Sequence, residues 1–154
     1  MKGAKGNASR VRQPAPRGRH MVFKGTFRRV LIVGAGIIGT IFGWALSRAG
    51  HDVAHLVRPG RAAPLADGIA MDVVDRRRGH KGRFRGQYLL TAVESLQPSD
   101  RFDMVIVPVK HYQLESTLAQ LVPLAGAADF VVLTQNWDGA AAVDALLPRA
   151  RYLY

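Results

Sequence analysis

The sequence predicts an open, mostly parallel α/β sheet with helices on both faces. Three observations lead there. A β-branched run, Val30 to Val33, opens onto glycines and then onto a helical pattern. A second strand-length run, Val53 to Val57, follows at the distance a crossover helix requires. Two further apolar runs, Met104 to Val109 and Phe130 to Leu133, each end abruptly in polar residues. Strands alternating with helical segments are the mark of βαβ units.

The first helix is predicted after Gly36. Ile37, Ile38, Ile41, Phe42, Ala45, Leu46 and Ala49 fall at helical spacing on one side, expected to face the core, with Thr40, Ser47 and Arg48 on the other; Gly50 supplies the stop. Val30 to Ser47 carries no charge, which reaches the length of a membrane span. Four glycines interrupt it and its second half is amphipathic, so strand-turn-helix is the better reading and no membrane association is expected.

Val53 to Val57 is predicted to run parallel to the first strand. "ADGIAMDVVDRRRGHKGRFRGQYLLTAVESL" reads as a hairpin-like excursion. It has strands around Ile69 to Val74 and Gln87 to Ala92, and the basic run Arg76 to Arg85 at a loop or hairpin tip. The helix after the Met104 strand carries Leu114, Leu118, Leu121 and Val122 on one side. "RYLY" at the end reads as the start of another strand, so that the sheet is cut short there.

The chain has 154 residues, 48% apolar and 21% charged, which suits one soluble domain, and has no cysteine. Disulfide and thiolate chemistry are thereby excluded, and a cytoplasmic location is expected. His51 and His55 are four apart but straddle a loop and a strand, so they share no helix face and no metal site is expected. The net charge of +11 is unevenly spread. Residues 1–29 hold nine basic groups and no acid, against 13 basic and 11 acidic groups in the remainder. Residues 1–26 are expected to be a disordered basic extension preceding a domain over 27–154. An anionic-surface or nucleic-acid arm, a transit peptide and a bland extension compete for it; its prolines and the general behaviour of like-charge blocks favour the last, so nucleic acid is not expected as a partner. The composition is compatible with a homo-oligomer.

Gly34, Gly36 and Gly39 form G-x-G-x-x-G between the first strand and helix, the fingerprint of a Rossmann-type dinucleotide site. The first glycine permits the tight turn, the second lets a pyrophosphate approach the backbone, and the third allows close helix packing. The amides of Ala35, Gly36, Ile37 and Ile38 are expected to face the phosphates at the positive end of the helix. About twenty residues on, where a carboxylate would grip the ribose of NAD, stands Arg58, with Arg61 close behind. A guanidinium binds a 2′-phosphate through two hydrogen bonds, so the chemistry favours NADP over NAD. Lys110 and Asn136 stand at the carboxyl ends of the two later strands, where ligands bind in open α/β sheets.

"VGAGIIGTIFGWALSRAGHDV", "LVRPGR", "VIVPVKHYQ" and "LTQNWDG" together resemble the amino-terminal domain of the ketopantoate reductase (2-dehydropantoate 2-reductase) family, over nearly everything from Arg29 onward. The resemblance implies that Gly34 to Gly39 hold the pyrophosphate, Arg58 holds the 2′-phosphate of NADPH, Lys110 lies against the cofactor, and Asn136 contacts cofactor and substrate. It implies hydride transfer from NADPH to the ketone of 2-dehydropantoate, in pantothenate synthesis. In the family a helical second domain supplies the catalytic lysine and most substrate contacts; no catalytic residue is therefore assigned within this chain, which is expected to bind cofactor but turn over poorly alone. Where the family has Q-N-G, Trp137 follows Asn136 here, which leaves the identity of the 2-oxo acid open. The first domain of another two-domain dehydrogenase and a non-catalytic nucleotide-binding module are the alternatives.

Overall fold

A computed structural model describes residues 28–79, 81–135 and 140–154. The basic extension expected over residues 1–26 lies outside them. β1 (Arg29–Val33) leads into α1 (Ile37–Arg48), and β2 (Asp52–Leu56) returns parallel to β1 with Leu31 opposite Ala54. An antiparallel hairpin comes next, β3 (Ile69–Asp75) and β4 (Gly82–Tyr88), then the short β5 (Thr91–Val93). The second half comprises β6 (Met104–Val107), α2 (Leu114–Leu121), β7 (Asp129–Val132), α3 (Ala141–Asp144) and β8 (Tyr152–Leu153).

The main sheet has the order β5-β2-β1-β6-β7-β8 with every pairing parallel, while β3 and β4 form a separate two-stranded sheet. This is the doubly wound arrangement, and its strand order reverses between β1 and β6. Period-2 alternation sorts the strand residues onto two faces. Leu31, Val105, Val107 and Phe130 point one way, under Leu114, Leu118 and Leu121 of α2 and Val143 of α3. Val30, Ile32, Val53 and Ile106 point the other way, with Leu46 of α1 against them. Each such buried aliphatic side chain contributes about 1.5–3 kcal/mol through removal from water. Helices thus cover both faces, as the sequence predicts.

Five local expectations are corrected. The buried side of α1 is Gly39, Thr40, Gly43 and Trp44, whereas Ile37, Ile38, Ile41 and Phe42 are 84, 52, 39 and 40% exposed. At Gly39 and Gly43 the helix lies so close to Gly34 and His55 that no side chain fits, so these glycines face inward, with Thr40 and Trp44 beside them, and the stripe of Ile37, Ile38, Ile41 and Phe42 is rolled outward. The strand expected over Gln87 to Ala92 is two elements, because β4 ends at Tyr88 and β5 begins at Thr91 in the other sheet. The basic run is only partly a tip: Arg83 and Arg85 lie on β4, where their Nε atoms reach Asp72 of β3 at 2.6 and 3.0 Å. The strand expected over Met104 to Val109 stops at Val107, before Pro108, and Val122 at the end of α2 is exposed. Among the described residues no helix is long and apolar enough to cross a membrane.

Candidate dinucleotide site

The crevice where strand order reverses is bounded by the turns that leave β1 and β6. After β1, Gly34 adopts φ +83°, a conformation open to glycine at no steric cost. Its amide donates to the Leu56 carbonyl at 2.7 Å, so the turn is tied to the end of β2. Gly36 caps α1 with extended backbone and no side-chain hydrogen bond, and no acid occupies the first turn. The first backbone bond of the helix runs from the Thr40 amide to the Gly36 carbonyl at 2.8 Å, and the Thr40 hydroxyl donates to the Ala35 carbonyl at 3.2 Å. The amides of Ile37, Ile38 and Gly39 therefore have no acceptor within the helix.

These features fit a diphosphate. A Cβ added at Gly36 would meet nothing within 4 Å, so the space above the free amides is open. A Cβ at Gly39 would stand 2.9 Å from the Gly34 carbonyl oxygen and 3.2 Å from the Ile32 side chain, which is the close helix-to-strand approach expected of the third glycine. A groove of about 270 Å³ runs from Ala35, Gly36 and Ile37 past Ile41 to β3. A larger open depression of about 620 Å³ sits at the hairpin tip between Val74 and Arg83, not at the carboxyl ends of the main sheet.

Beneath the turn lies a support that sequence reasoning missed. His55 of β2 is fully buried, with Nδ1 2.9 Å from the Gly34 carbonyl and Nε2 3.1 Å from the Tyr88 hydroxyl. A carbonyl only accepts, so Nδ1 carries the proton and, in the neutral ring, Nε2 accepts from Tyr88. The Ser47 hydroxyl, 3.4 Å from that of Tyr88, extends the chain to α1. Burial lowers the His55 pKa, only partly offset by the bond to Gly34, and burial raises that of Tyr88. A Cβ at Gly43 would collide with the His55 ring and stand 2.7 Å from the Tyr88 hydroxyl. Gly43, mid-helix at a cost of about 1 kcal/mol, was the available signal for this close approach.

Arg58 lies two residues past β2 and is exposed. Arg58-Pro59-Gly60-Arg61 closes a turn in which the Arg61 amide donates to the Arg58 carbonyl at 3.0 Å and Gly60 has φ +78°. Proline second and glycine third suit a type II turn, which sets the two arginines at its ends. Lys110 is exposed three residues beyond β6, and its carbonyl accepts the Gln113 amide at 2.9 Å as a 3₁₀ turn begins. Two residues past β7 the Thr134 hydroxyl is buried with no hydrogen-bond partner among the described residues. Asn136 and Trp137 lie outside the described residues. The glycine turn and Lys110 thus flank the point where strand order reverses, with Arg58 one strand further out beyond β2. Among the described residues, no cluster of three His, Asp or Glu could hold a metal.

Comparison with known proteins agrees with this geometry. The chain is 32% identical over 112 residues to 2-dehydropantoate 2-reductase of Aquifex aeolicus (strain VF5), matching 72% of this chain and 32% of that protein. It therefore spans about a third of that curated relative's length. A ketopantoate reductase of the PanE/ApbA family from Ralstonia eutropha JMP134 superposes with a TM-score of 0.62 at 28% identity, over 77% of this chain and 38% of that one. D-mandelate dehydrogenase, solved with NADH and anilino(oxo)acetate, shares the fold with a TM-score of 0.65 at 19% identity, over 80% of this chain and 39% of that one. The family model described as ketopantoate reductase PanE/ApbA matches residues 30–154. A glycine turn at the reversal of a doubly wound sheet, in a chain that this family model matches over residues 30–154, makes it a member of the ketopantoate reductase PanE/ApbA family.

Proposed function

We propose that residues 27–154 form the NADPH-binding part of an oxidoreductase that reduces a 2-oxo acid, 2-dehydropantoate being the first candidate. The observation that carries this reading is the set of free amides at Ile37, Ile38 and Gly39, opening onto clear space above Gly36 at the point where strand order reverses. Those amides and the positive end of α1 bind the pyrophosphate. Arg58, assisted by Arg61, binds the 2′-phosphate, and Lys110 approaches the cofactor from the end of β6. Asn136 contacts cofactor and substrate near the nicotinamide. NADPH, when bound, supplies the hydride. The protein's part is to hold it in register with the carbonyl carbon and keep donors near the developing alkoxide. This segment alone is proposed to bind cofactor and to turn over slowly or not at all. The cytoplasm is its proposed setting, consistent with the absence of cysteine.

Titration with NADPH and NADH, followed through the fluorescence of Trp44 and Trp137, tests the reading. Tighter binding of NADPH is the expected result, and equal or absent binding overturns it.

A further inference from the structure

Glu94 immediately follows β5, the strand that flanks β2 on the outer side of the sheet. The two strand ends are joined there, since the Val57 amide donates to the Val93 carbonyl at 2.8 Å. One oxygen of the Glu94 carboxylate accepts the Ala62 amide at 2.8 Å. This hydrogen bond from the Ala62 amide is the leading cause that holds the Glu94 pKa below the usual carboxylate range.

The loop so held is not an arbitrary one. It is the Arg58-Pro59-Gly60-Arg61 turn, closed on itself by the bond from Arg61 to Arg58. Arg58 and Arg61 are long, exposed side chains, and their use as a two-armed anion clamp depends on a fixed backbone beneath them. Glu94 supplies that fixity from the neighbouring strand.

We propose that Glu94 is a positioning residue for dinucleotide choice: by gripping the amide of Ala62 it fixes the exit of the turn that presents Arg58 and Arg61 to the 2′-phosphate. The inference rests on the NADPH reading under Proposed function. A carboxylate this exposed is screened by salt over about 8 Å at physiological ionic strength, so its repulsion of the phosphate is the smaller effect. Loss of the grip is the larger one, because it frees a four-residue turn.

Affinities for NADPH and NADH are measured for the 154-residue chain as wild type, Glu94→Ala and Glu94→Gln, with hydrogen exchange of the Ala62 amide recorded alongside. Glu94→Ala is expected to weaken NADPH about tenfold, change NADH less than about twofold, and speed exchange at that amide. Glu94→Gln keeps the accepting oxygen and is expected to restore most of the NADPH affinity. Where the alanine variant does not fold, Glu94→Asp, one methylene shorter, is expected to show the same selective loss. A wild type that prefers NADPH, with variants that lose both dinucleotides equally, lose neither, or gain NADPH affinity, overturns the inference alone. A wild type without preference overturns the NADPH reading and the inference with it.

Discussion

His55 donates from Nδ1 to the carbonyl of Gly34 across 2.9 Å, so a buried imidazole on one strand orients the first peptide of the glycine turn on its neighbour. The Gly34 amide is taken by the Leu56 carbonyl. Both polar atoms of Gly34 are thereby fixed by β2.

Acid should weaken this support. The folded-state pKa of His55 lies below its ordinary value of 6.5, so its contribution to stability is complete above 6.5 and declines as pH falls through the window beneath that value. Thermal unfolding of the wild type should show a steeper loss below about pH 6.5 than that of His55→Gln, which cannot titrate. Parallel curves would mean that the ring is not held neutral.

Gly43→Ala should destabilise the fold despite alanine's better helix propensity. The added Cβ collides with the His55 ring and meets the Tyr88 hydroxyl, a crowding that costs about 1–3 kcal/mol in a packed interior. Urea unfolding measures it. A gain in stability would show that the ring yields without cost.

Gly36 and Gly39 should separate folding from binding. Gly36→Val meets open space at an extended backbone and should change stability by no more than about 0.5 kcal/mol, while weakening NADPH at least about tenfold by covering the phosphate position. Gly39→Val should lower stability as well, since its Cβ meets the Gly34 carbonyl. Calorimetry of unfolding and of binding on both variants gives the comparison.

Arg58→Ala should cost NADPH about tenfold and leave NADH nearly unchanged, the signature of a lost charge-assisted bond to a group present on one ligand only. The difference should shrink with added salt, because Arg58 is exposed. Uniform loss of both ligands would assign Arg58 to the fold.

Leu118→Ala should cost about 2–5 kcal/mol. The side chain is fully buried between α2 and the sheet, and the loss combines transfer and cavity contributions. Chemical denaturation reads it directly.

The parts of the molecule legible in the sequence were those governed by local pattern. The run ending at Val33, the glycines after it and the leucines of α2 each carry their own periodicity, and the parallel sheet follows from them. What periodicity could not convey was proximity. α1 has two candidate inward faces, and the bulkier one loses because Gly39 and Gly43 must lie against Gly34 and His55, a fact about distance between elements rather than about the helix. Tyr88 and Glu94 act through partners 33 and 32 residues away, and neither sits in a motif. The basic run around Arg83 reads as a tip in sequence because its partner, Asp72, lies across a hairpin whose register depends on the fold.

The outward stripe of α1 has a practical outcome. With Ile37, Ile38, Ile41 and Phe42 all open to water, this segment offers a greasy foothold while fully native. It should be retained on phenyl resin and brighten anilinonaphthalene dyes before any heating. Such dye signals will therefore report the surface of the native segment rather than its melting, and unfolding is better followed by circular dichroism.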